Sequence, residues 1–244
     1  MLLKICDVDS FKAFFDLIYD STNIVELKLD QEACRMSLLN DSHVCFYECE
    51  YQSDFFDEYQ VDNIESVLLF VADFYNIIKT AKSTDMIELS TNDYSLKIVI
   101  EHDSNRRVFN IPLAEDYGDT PTPPSLDYNG SFTVSLKDLK QPCVDLDKII
   151  KTDRFKMITR QGELYIVSPN DSMTKYEQSI PIDADVAACS IVNLHYINDL
   201  QKLSKINNNV ELFIGDNIPV SWQIVDCSGV ITVKGLIAPI MEEE

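Results

Sequence analysis

Histidine and cysteine residues are the first candidates for chemistry in this chain of 244 residues, because their side chains serve as metal ligands, bases and nucleophiles. The three histidines stand far apart, at positions 43, 102 and 195, and only His43 has a neighbouring co-ligand, Cys45. Two ligands on one strand do not complete a zinc site. The seven cysteines form no Cys-x-x-Cys pair, and an odd number without framework spacing favours a reducing cytosol. The sequence therefore predicts no metal site.

Catalytic motifs give an equally negative result. Asp41, Ser42 and His43 contain the letters of a catalytic triad, but neighbours on a strand point to opposite faces and cannot assemble one. The chain has no Gly-x-Gly-x-x-Gly and no phosphate-binding loop, so no nucleotide cofactor is expected. The acidic stretch 48–65 lacks the spacing and the glycine of a calcium loop, which favours a solvated outer face. We therefore predict no catalytic residue, no cofactor and no enzymatic activity.

The charge of the chain points in two directions. Its net charge of −21, from 20 basic and 41 acidic residues, argues against a nucleic-acid partner when taken alone. Nine lysines nevertheless fall in four short segments with helical periodicity, namely Lys12, Lys79, Lys82, Lys137, Lys140, Lys148, Lys151, Lys202 and Lys205. Any single one is more often an ordinary solvent-facing lysine. If all four helices cover one side of the sheets, an acidic protein can still present a positive surface, because screening limits surface charge to about 10 Å.

The elements that would position these lysines can be read from the spacing of apolar residues. Helical spacing occurs in four segments, which are 10–20, 73–82, 135–150 and 195–205. Pro142 is tolerated only in a first helical turn, so the third helix is predicted to begin near it. Alternation every second residue predicts strands at 24–30, 33–39, 43–49, 86–89, 94–100, 106–113, 154–159, 163–168, 173–182, 209–214, 219–225 and 230–237.

The same order of elements occurs twice along the chain. The tripeptide Asn-Asp-Ser appears at 40–42 and again at 170–172, an offset of 130 residues, each time after a predicted strand. A duplication is the simplest account of this order. We predict an α+β architecture of two similar domains, each of antiparallel sheets with two helices. The first domain is placed at 1–113, a Pro-rich linker at 114–130 and the second domain at 131–244.

Four stretches resemble the DNA polymerase sliding clamps of the proliferating cell nuclear antigen (PCNA) type, in its archaeal form. They are "SLLNDSHVCF" (37–46), "RRVFNIPL" (106–113), "YINDLQK" (196–202) and "LIAPIMEEE" (236–244). The resemblance implies the DNA clamp fold and a closed homotrimeric ring of six similar domains. Helices would line the hole and sheets the outside, with 106–113 of one subunit beside 173–181 of the next. The implied function is a processivity factor that encircles duplex DNA without sequence specificity.

The resemblance also assigns roles to individual residues. The residues that would face DNA are Lys12, Lys79, Lys82, Lys140, Lys148, Lys202 and Lys205. The residues that would form a pocket for partner peptides are Leu39, Val44, Phe46, Leu126, Tyr128, Pro219, Leu236, Ile237, Ala238 and Pro239. Two features depart from the family pattern: the linker carries "PTPP" in place of aliphatic residues, and the first helix has Asp16, Tyr19 and Asp20 with few lysines. We therefore expect weak direct affinity for DNA.

The implied partners are a DNA polymerase, a clamp loader, a nuclease and a ligase, each bound through a clamp-binding peptide motif, and no membrane. The expected location is the cytoplasm, at the nucleoid, or the nucleus of a eukaryotic host. One alternative remains: a subunit of a heteromeric ring, or a monomeric adaptor, that does not encircle DNA by itself. A measured mass in solution would discriminate between these. An acidic DNA mimic is disfavoured because the 48–65 run is too short.

Overall fold

The structure is a computed structural model that describes residues 1–92, 94–115 and 122–241. The chain divides into two compact units. The first unit comprises residues 1–43, 47–121 and 225–233, and the second comprises 44–46, 122–224 and 234–244. The predicted domain boundaries stay a prediction, and residues 116–121 of the expected linker lie outside the described residues.

The first half of the sequence forms eleven elements. In chain order they are β1 (Leu2–Ile5), α1 (Val8–Ile18), β2 (Ile24–Leu29), β3 (Ala33–Leu39), β4 (Cys45–Gln52), β5 (Glu58–Gln60), β6 (Glu65–Phe70), α2 (Val71–Ile78), β7 (Met86–Thr91), β8 (Ser95–His102) and β9 (Asn105–Pro112). One sheet has the order β5-β1-β7-β8-β9, and β4, β3, β2 and β6 follow one another in another sheet. Neighbouring strands are antiparallel, for example with Ser95 opposite Pro112 and Ile24 opposite Phe70.

The second half follows the same plan. Its elements are β10 (Gly130–Ser135), α3 (Leu136–Asp145), β11 (Arg154–Arg160), β12 (Glu163–Val167), β13 (Glu177–Pro181), β14 (Ala188–Asn193), α4 (Leu194–Asp199), β15 (Asn209–Ile214), β16 (Val220–Val225) and β17 (Ile231–Ile237). A π turn at Leu146–Ile150 extends α3, and a 3-10 turn at Leu200–Lys205 extends α4. The strand orders are β10-β15-β16-β17 and β13-β12-β11-β14.

The predicted α+β class and the duplication are confirmed by this correspondence. The order β1-β7-β8-β9 is repeated as β10-β15-β16-β17, and β4-β3-β2-β6 as β13-β12-β11-β14. Helices α1 and α2 likewise correspond to α3 and α4. The two Asn-Asp-Ser tripeptides occupy equivalent connections, because one joins β3 to β4 and the other joins β12 to β13. The described part of the first half holds one strand without a counterpart, the short β5.

Helix α1 of the first unit forms because its start is capped and its apolar face is continuous. The Asp7 carboxylate accepts a hydrogen bond from the Ser10 N–H at 3.2 Å, which satisfies one of the free donors of the first turn. Phe11 and Phe15 are buried, and the Phe15 ring lies 4.8 Å from that of Phe74 on α2. Burying a side chain of this size stabilises the fold by about 1.5–3 kcal/mol. The aromatic core therefore fixes both helices against the sheets of the first unit.

The core of the second unit is built around Trp222 on β16, whose side chain is fully buried. A Cβ atom at Gly235 on β17 would lie 2.4 Å from the indole ring, so only glycine fits beside it. Leu136 and Leu139 of α3 are also fully buried. Burial raises the pKa of the Cys143 thiol to about 12, which keeps it protonated and unreactive.

The prediction that the third helix begins near Pro142 is wrong. Helix α3 begins at Leu136, where the Ser135 hydroxyl accepts a hydrogen bond from the Lys137 N–H at 3.3 Å, and Pro142 lies inside the helix. The proline ring is buried, so its packing offsets the hydrogen bond that its missing N–H cannot donate. The helix loosens into the π turn soon afterwards and ends at Lys151 in the left-handed conformation.

The interpretation of 48–65 as a solvated outer face holds for exposed acidic residues such as Asp54, Asp57 and Asp62, but the stretch also has buried side chains. This stretch contains the end of β4 and all of β5, and Phe56 and Val61 are buried. The Tyr51 and Phe55 rings lie 4.8 Å apart, and the stretch is tied to the core because the Tyr51 hydroxyl donates to the Phe11 carbonyl at 3.1 Å. Its aromatic residues, rather than its carboxylates, decide its position.

Candidate functional site

The three helix-associated lysines of the first unit are in unequal surroundings. Lys12 on α1 is half-buried, and its ammonium donates to the Ala81 carbonyl at 2.7 Å and lies 3.4 Å from the Asp9 carboxylate. Its hydrogen-bonding capacity is therefore largely used inside the protein. Lys79 and Lys82 follow α2 and are exposed. Lys79 and Lys82 are therefore more accessible to a partner than Lys12, although the Lys79 ammonium donates to the Asn76 side chain.

An aromatic pair modifies the surface around Lys79. The rings of Tyr19 and Tyr75 lie 5.1 Å apart, and the Lys79 ammonium lies 5.6 and 5.7 Å from their centroids. The Tyr75 hydroxyl donates to the Asp16 carboxylate at 2.6 Å. Burial raises the pKa of Tyr75, and the nearby Asp16 raises it further. Together with the exposed Asp20, these residues give the α1–α2 surface an acidic and aromatic character.

The lysines of the second unit are more accessible. Lys140 on α3, Lys148 in the π turn and Lys205 after α4 are exposed, and the Lys148 side chain is 74% exposed while it pairs with Asp147 at 2.6 Å. Lys202 is less exposed because its ammonium lies 3.2 Å from the buried Asp199 carboxylate. Three of the four predicted lysines thus project into solvent in this unit, against two of three in the first.

A groove of about 650 Å³ lies beside these lysines, between the π turn and the start of α4. Lys148, Lys151, His195 and Asn198 line it, as do Asp147 and Asp153. The His195 imidazole lies 3.2 Å from the Asp199 carboxylate, one helical turn later. The Asp199 carboxylate also lies 3.2 Å from the Lys202 ammonium, so it offsets part of the positive charge along this helix.

The predicted peptide pocket falls mainly within the second unit. The Ala238 N–H donates to the Val44 carbonyl at 2.9 Å, which joins the residue after β17 to the residue before β4. The Ile240 N–H donates to the Ile191 carbonyl at 2.8 Å, so the chain after β17 is held on both sides of Pro239. Val44, Ala238 and Pro239 are half-buried, which leaves part of each side chain for a partner.

The segment before β10 brings two further pocket residues beside β16 and β17. The Tyr128 ring lies 5.9 Å from that of Phe213, which pairs with Ser221 on β16. Burial raises the pKa of Tyr128, so its hydroxyl stays protonated. The Ser221 hydroxyl donates to the Gly235 carbonyl at 3.2 Å, next to the half-buried Leu236. The half-buried Leu126 precedes Tyr128 by two residues.

The remaining four residues of the predicted pocket differ in burial and position. Ile237 is fully buried because it alternates with Leu236 along β17. Phe46 is 6% exposed, so it supports the surface from beneath. Leu39 ends β3 in the first unit and is half-buried. Pro219, the last of the set, precedes β16 and is half-buried.

Two of the six outermost strands in the described sheets, β9 and β13, bear on assembly. Strand β9 is outermost in the order β5-β1-β7-β8-β9, and β13 is outermost in β13-β12-β11-β14. These are the two segments for which the sequence predicted subunit contacts. An unpaired edge presents free N–H and C=O groups and is a template for another strand. Val108 on β9 is 46% exposed, so the edge also offers apolar surface.

Among the described residues, no cluster of three or more His, Cys, Asp or Glu side chains could hold a metal ion. The described helices include none with the length and apolarity needed to cross a membrane. Sequence reasoning missed two features of the helical surface. The Tyr19–Tyr75 pair and the buried Asp85, which contacts Arg107 at 3.6 Å, join residues far apart in the chain. Spacing along one element gives no signal for such contacts.

The sequence profile of the family described as proliferating cell nuclear antigen, N-terminal domain, matches residues 2–115. A relative named DNA polymerase sliding clamp, from Methanothermobacter thermautotrophicus, is 29% identical over 245 residues and covers 98% of this chain and 97% of its own length.

Solved structures of low sequence identity share the fold. The PCNA2–PCNA3 complex from Sulfolobus tokodaii matches with a TM-score of 0.89 at 20% identity, over 99% of this chain and 100% of that one. The A. fulgidus PCNA bound to the C-terminal region of FEN-1 matches with a TM-score of 0.88 at 16% identity, over 100% and 99%.

Proposed function

The chain belongs to the PCNA family of DNA polymerase sliding clamps, and we propose that it acts as a ring that encircles duplex DNA and tethers replication and repair proteins to it. The observation that carries this proposal is the pair of open sheet edges, β9 and β13. In the duplicated plan, each of these strands corresponds to a strand in the other half of the chain, and those two corresponding strands contact each other within the chain.

That internal contact involves β17 and β4. The Gln52 N–H at the end of β4 donates to the Val230 carbonyl before β17 at 2.9 Å, and the Ala238 N–H after β17 donates to the Val44 carbonyl before β4 at 2.9 Å. In the repeat, β9 corresponds to β17 and β13 corresponds to β4. The same pairing between β9 of one copy and β13 of the next would use both open edges.

A head-to-tail contact of this kind repeats from copy to copy. The copies close into a ring when a whole number of rotations, each from one copy to the next, makes a full turn. The family resemblance implies three copies. Closure would cover the β9 and β13 edges, so these two strands would no longer be templates for uncontrolled strand addition. The test is the mass of the particle in solution, by light scattering at micromolar concentration. Three chains of 27.9 kDa give about 84 kDa, and a monomer of 27.9 kDa at moderate salt would contradict the ring.

The helical surfaces are proposed to face the DNA without gripping it. The exposed lysines Lys79, Lys82, Lys140, Lys148 and Lys205 can each neutralise a phosphate, whereas Lys12 and Lys202 are less exposed. With a net charge of −21, the chain cannot bind DNA strongly by simple electrostatic attraction. Retention would come from closure of the ring. The proposal needs no catalytic group and no cofactor, so the protein is proposed to be a non-enzymatic processivity factor.

Partner proteins are proposed to bind the surface formed by Val44, Leu126, Tyr128, Leu236 and Ala238. Its exposed parts are apolar, and the structure of A. fulgidus PCNA with the C-terminal region of FEN-1 shows that a relative binds a partner segment. A peptide with a Gln, an aliphatic residue and two aromatic residues is the proposed ligand. Polymerase, clamp loader, nuclease and ligase would each present such a peptide. The site of action would be the nucleoid in the cytoplasm, or the nucleus of a eukaryotic host.

A second candidate is a subunit of a heteromeric ring, or an adaptor that does not encircle DNA alone. The observation that favours it is the match to a complex of two different PCNA proteins, PCNA2 and PCNA3. The same mass measurement separates the candidates. A chain that stays monomeric alone, and forms a larger particle only with a second clamp protein, would replace the homotrimer by the heteromeric ring.

A further inference from the structure

The outer strand β9 has little apolar anchorage at its first half. Asn105, Arg106, Arg107 and Val108 are all exposed, and burial on this strand begins only at Phe109 and Ile111. Hydrogen bonds to β8 hold one side of the strand. A strand with one free side and no buried side chains frays readily. Apart from the pairing with β8, the position of residues 105–108 depends on the polar contacts of Arg107, because those of Arg106 stay within the β8–β9 hairpin.

These two arginines point to opposite faces, as neighbours on a strand must. Arg106 pairs with Glu101 on β8, with Nε 2.7 Å from the carboxylate oxygen. Arg107 instead reaches the turn between α2 and β7, residues 79–85, named here the α2–β7 turn. Its guanidinium donates to the Thr80 hydroxyl at 2.9 Å and to the Thr80 carbonyl at 3.3 Å, and it lies 3.6 Å from the Asp85 carboxylate.

Asp85 is the buried member of this group, with 5% of the residue exposed. Its Oδ2 accepts the Lys82 N–H at 3.0 Å, and its own N–H donates to the Lys82 carbonyl at 3.0 Å. Its Oδ1 lies 3.3 Å from Nδ1 of His102, the last residue of β8. Oδ1 makes no hydrogen bond among the described residues, so the buried charge is compensated by the hydrogen bond to Oδ2 and by the nearby Arg107 guanidinium, and loss of either should be felt at the Arg107 side chain.

Asp85 thus joins the open edge β9 to the turn that carries Lys79 and Lys82. We propose that Asp85 is a positioning residue for ring closure: its carboxylate holds Arg107, and with it residues 105–108, in the extended course that β13 of a second copy must match. This inference rests on the ring proposed above. Asp85 is too buried to touch the second copy itself. Its effect on assembly must therefore pass through β9.

The test compares the dissociation constant of the trimer, measured by dilution, for four chains. Asp85→Asn keeps the acceptor for the Lys82 N–H but removes the charge that faces Arg107, and Arg107→Ala removes the other partner. Both should raise the dissociation constant by about tenfold. Arg106→Ala is the matched control, since Arg106 is the neighbouring residue on β9 and contacts only the other face. It should change the constant by less than about twofold.

Hydrogen exchange in the monomeric state gives a second readout that a loss of general stability would not mimic. Amides of residues 105–108 should exchange faster in Asp85→Asn, while those of β1 and β7 keep their wild-type rates. Thr80→Val is a second variant, to be used if Asp85→Asn does not fold. Thr80 is exposed, and its hydroxyl accepts a hydrogen bond from Arg107. This variant should produce the same local change in exchange.

The outcomes separate this inference from the proposed function. A wild-type chain that is monomeric would contradict the ring, whatever the variants do. A wild-type trimer whose dissociation constant and β9 exchange are unchanged by Asp85→Asn would overturn the role of Asp85 and leave the ring intact. If Arg107→Ala weakens the trimer and Asp85→Asn does not, Arg107 acts on the second copy directly, and the inference is equally overturned.

Discussion

The helical surfaces of the two units have the same plan and different chemistry. In the first unit, Lys12 donates to the Ala81 carbonyl, and Asp16 accepts from Tyr75 beside the Tyr19 ring. In the second unit, Lys140 and Lys148 are exposed on the helical surface. Duplication therefore preserved the elements that build the sheets, while the solvent-facing side chains of the helices diverged.

The difference suggests a division of labour between the two halves of the repeat. The second unit combines the more accessible lysines with nearly all of the proposed peptide surface, since Val44, Leu126, Leu236 and Ala238 belong to it. The first unit contributes the open edge β9 and a helical surface that is acidic and aromatic. If this division is real, substitutions at corresponding places in the two units should have unequal effects.

The largest effect is expected at the peptide surface of the second unit. Ala238→Asp places a charge on a half-buried apolar surface, and Leu126→Ala removes a half-buried apolar side chain. Each should weaken binding of a clamp-binding peptide by about 1–3 kcal/mol, measured by calorimetry. Asp127→Ala is the matched control, because Asp127 is exposed between Leu126 and Tyr128. Equal affinity in all variants would show that the peptide binds elsewhere.

Removal of lysines should reduce stimulation of the DNA polymerase more in the second unit than in the first. Lys140→Ala, Lys148→Ala and Lys205→Ala combined should reduce polymerase stimulation by about tenfold at 0.15 M salt, since each lost phosphate contact lowers the log–log salt slope by about 0.9. The matching set Lys12→Ala, Lys79→Ala and Lys82→Ala should reduce it by less than about threefold. Similar losses in both sets, with the trimer intact, would argue against the division.

Lys12 should affect stability rather than DNA. Its ammonium donates to the Ala81 carbonyl at 2.7 Å, so Lys12→Ala leaves a buried acceptor without its donor. The free energy of unfolding should fall by about 1 kcal/mol, while Lys140→Ala in the second unit should change it by less than about 0.5 kcal/mol. Urea unfolding of both variants measures the difference. An unchanged Lys12→Ala protein that stimulates the polymerase poorly would place Lys12 at the DNA after all.

The smallest expected effect concerns acid sensitivity of one hairpin. The Glu32 and Ala33 N–H groups donate to the Asp30 carboxylate at 2.8 and 3.0 Å and lower the pKa of Asp30 below its usual value of 3.8. Because the folded pKa is lowered, Asp30 stabilises the β2–β3 turn above its unfolded pKa of about 3.9 and loses that effect as pH falls through the folded value.

The equivalent β11–β12 turn consists of Gln161 and Gly162, both with positive φ, and has no carboxylate. Hydrogen exchange corrected for intrinsic rates should therefore show the β2–β3 turn, and not the β11–β12 turn, opening more as pH is lowered from 5 to 3. Asp30→Asn should abolish the difference in pH dependence. Equal responses of the two turns in the wild-type chain would count against this cause.

Periodicity predicted most of the repeated elements because local sequence decides them. The apolar face of α1, with Phe11, Phe14 and Phe15, and the alternation of β2 and β3 are visible without a structure. Strands β1, β5, β6, β10 and β14 were not predicted, since their pairing partners, rather than their own alternation, make them strands. The start of α3 was misplaced because the cap at Ser135 and the burial of Pro142 outweigh the proline rule.

The sequence identified which residues belong to the candidate sites. It did not identify how deeply each residue is buried or which residues it contacts. The sequence identified Lys12 as a helical lysine, but its acceptor at Ala81 lies 69 residues away. It identified Ile237 with its neighbours, although strand alternation directs this side chain into the core. Asp85 gave no signal at all, because its partners His102 and Arg107 lie on another hairpin. Long-range contacts decide which members of a predicted set reach the surface.

Retention on circular DNA is the most direct test of the central claim, which is that this protein holds DNA by enclosure. The protein, loaded onto nicked circular DNA by a clamp loader, is followed by gel filtration before and after one restriction cut. The account predicts that the protein elutes with the intact circle and separates from the DNA once it is linear, at a salt concentration that leaves the ring assembled. Elution with the linear DNA, unchanged by the cut, would show binding by contact and would contradict the account.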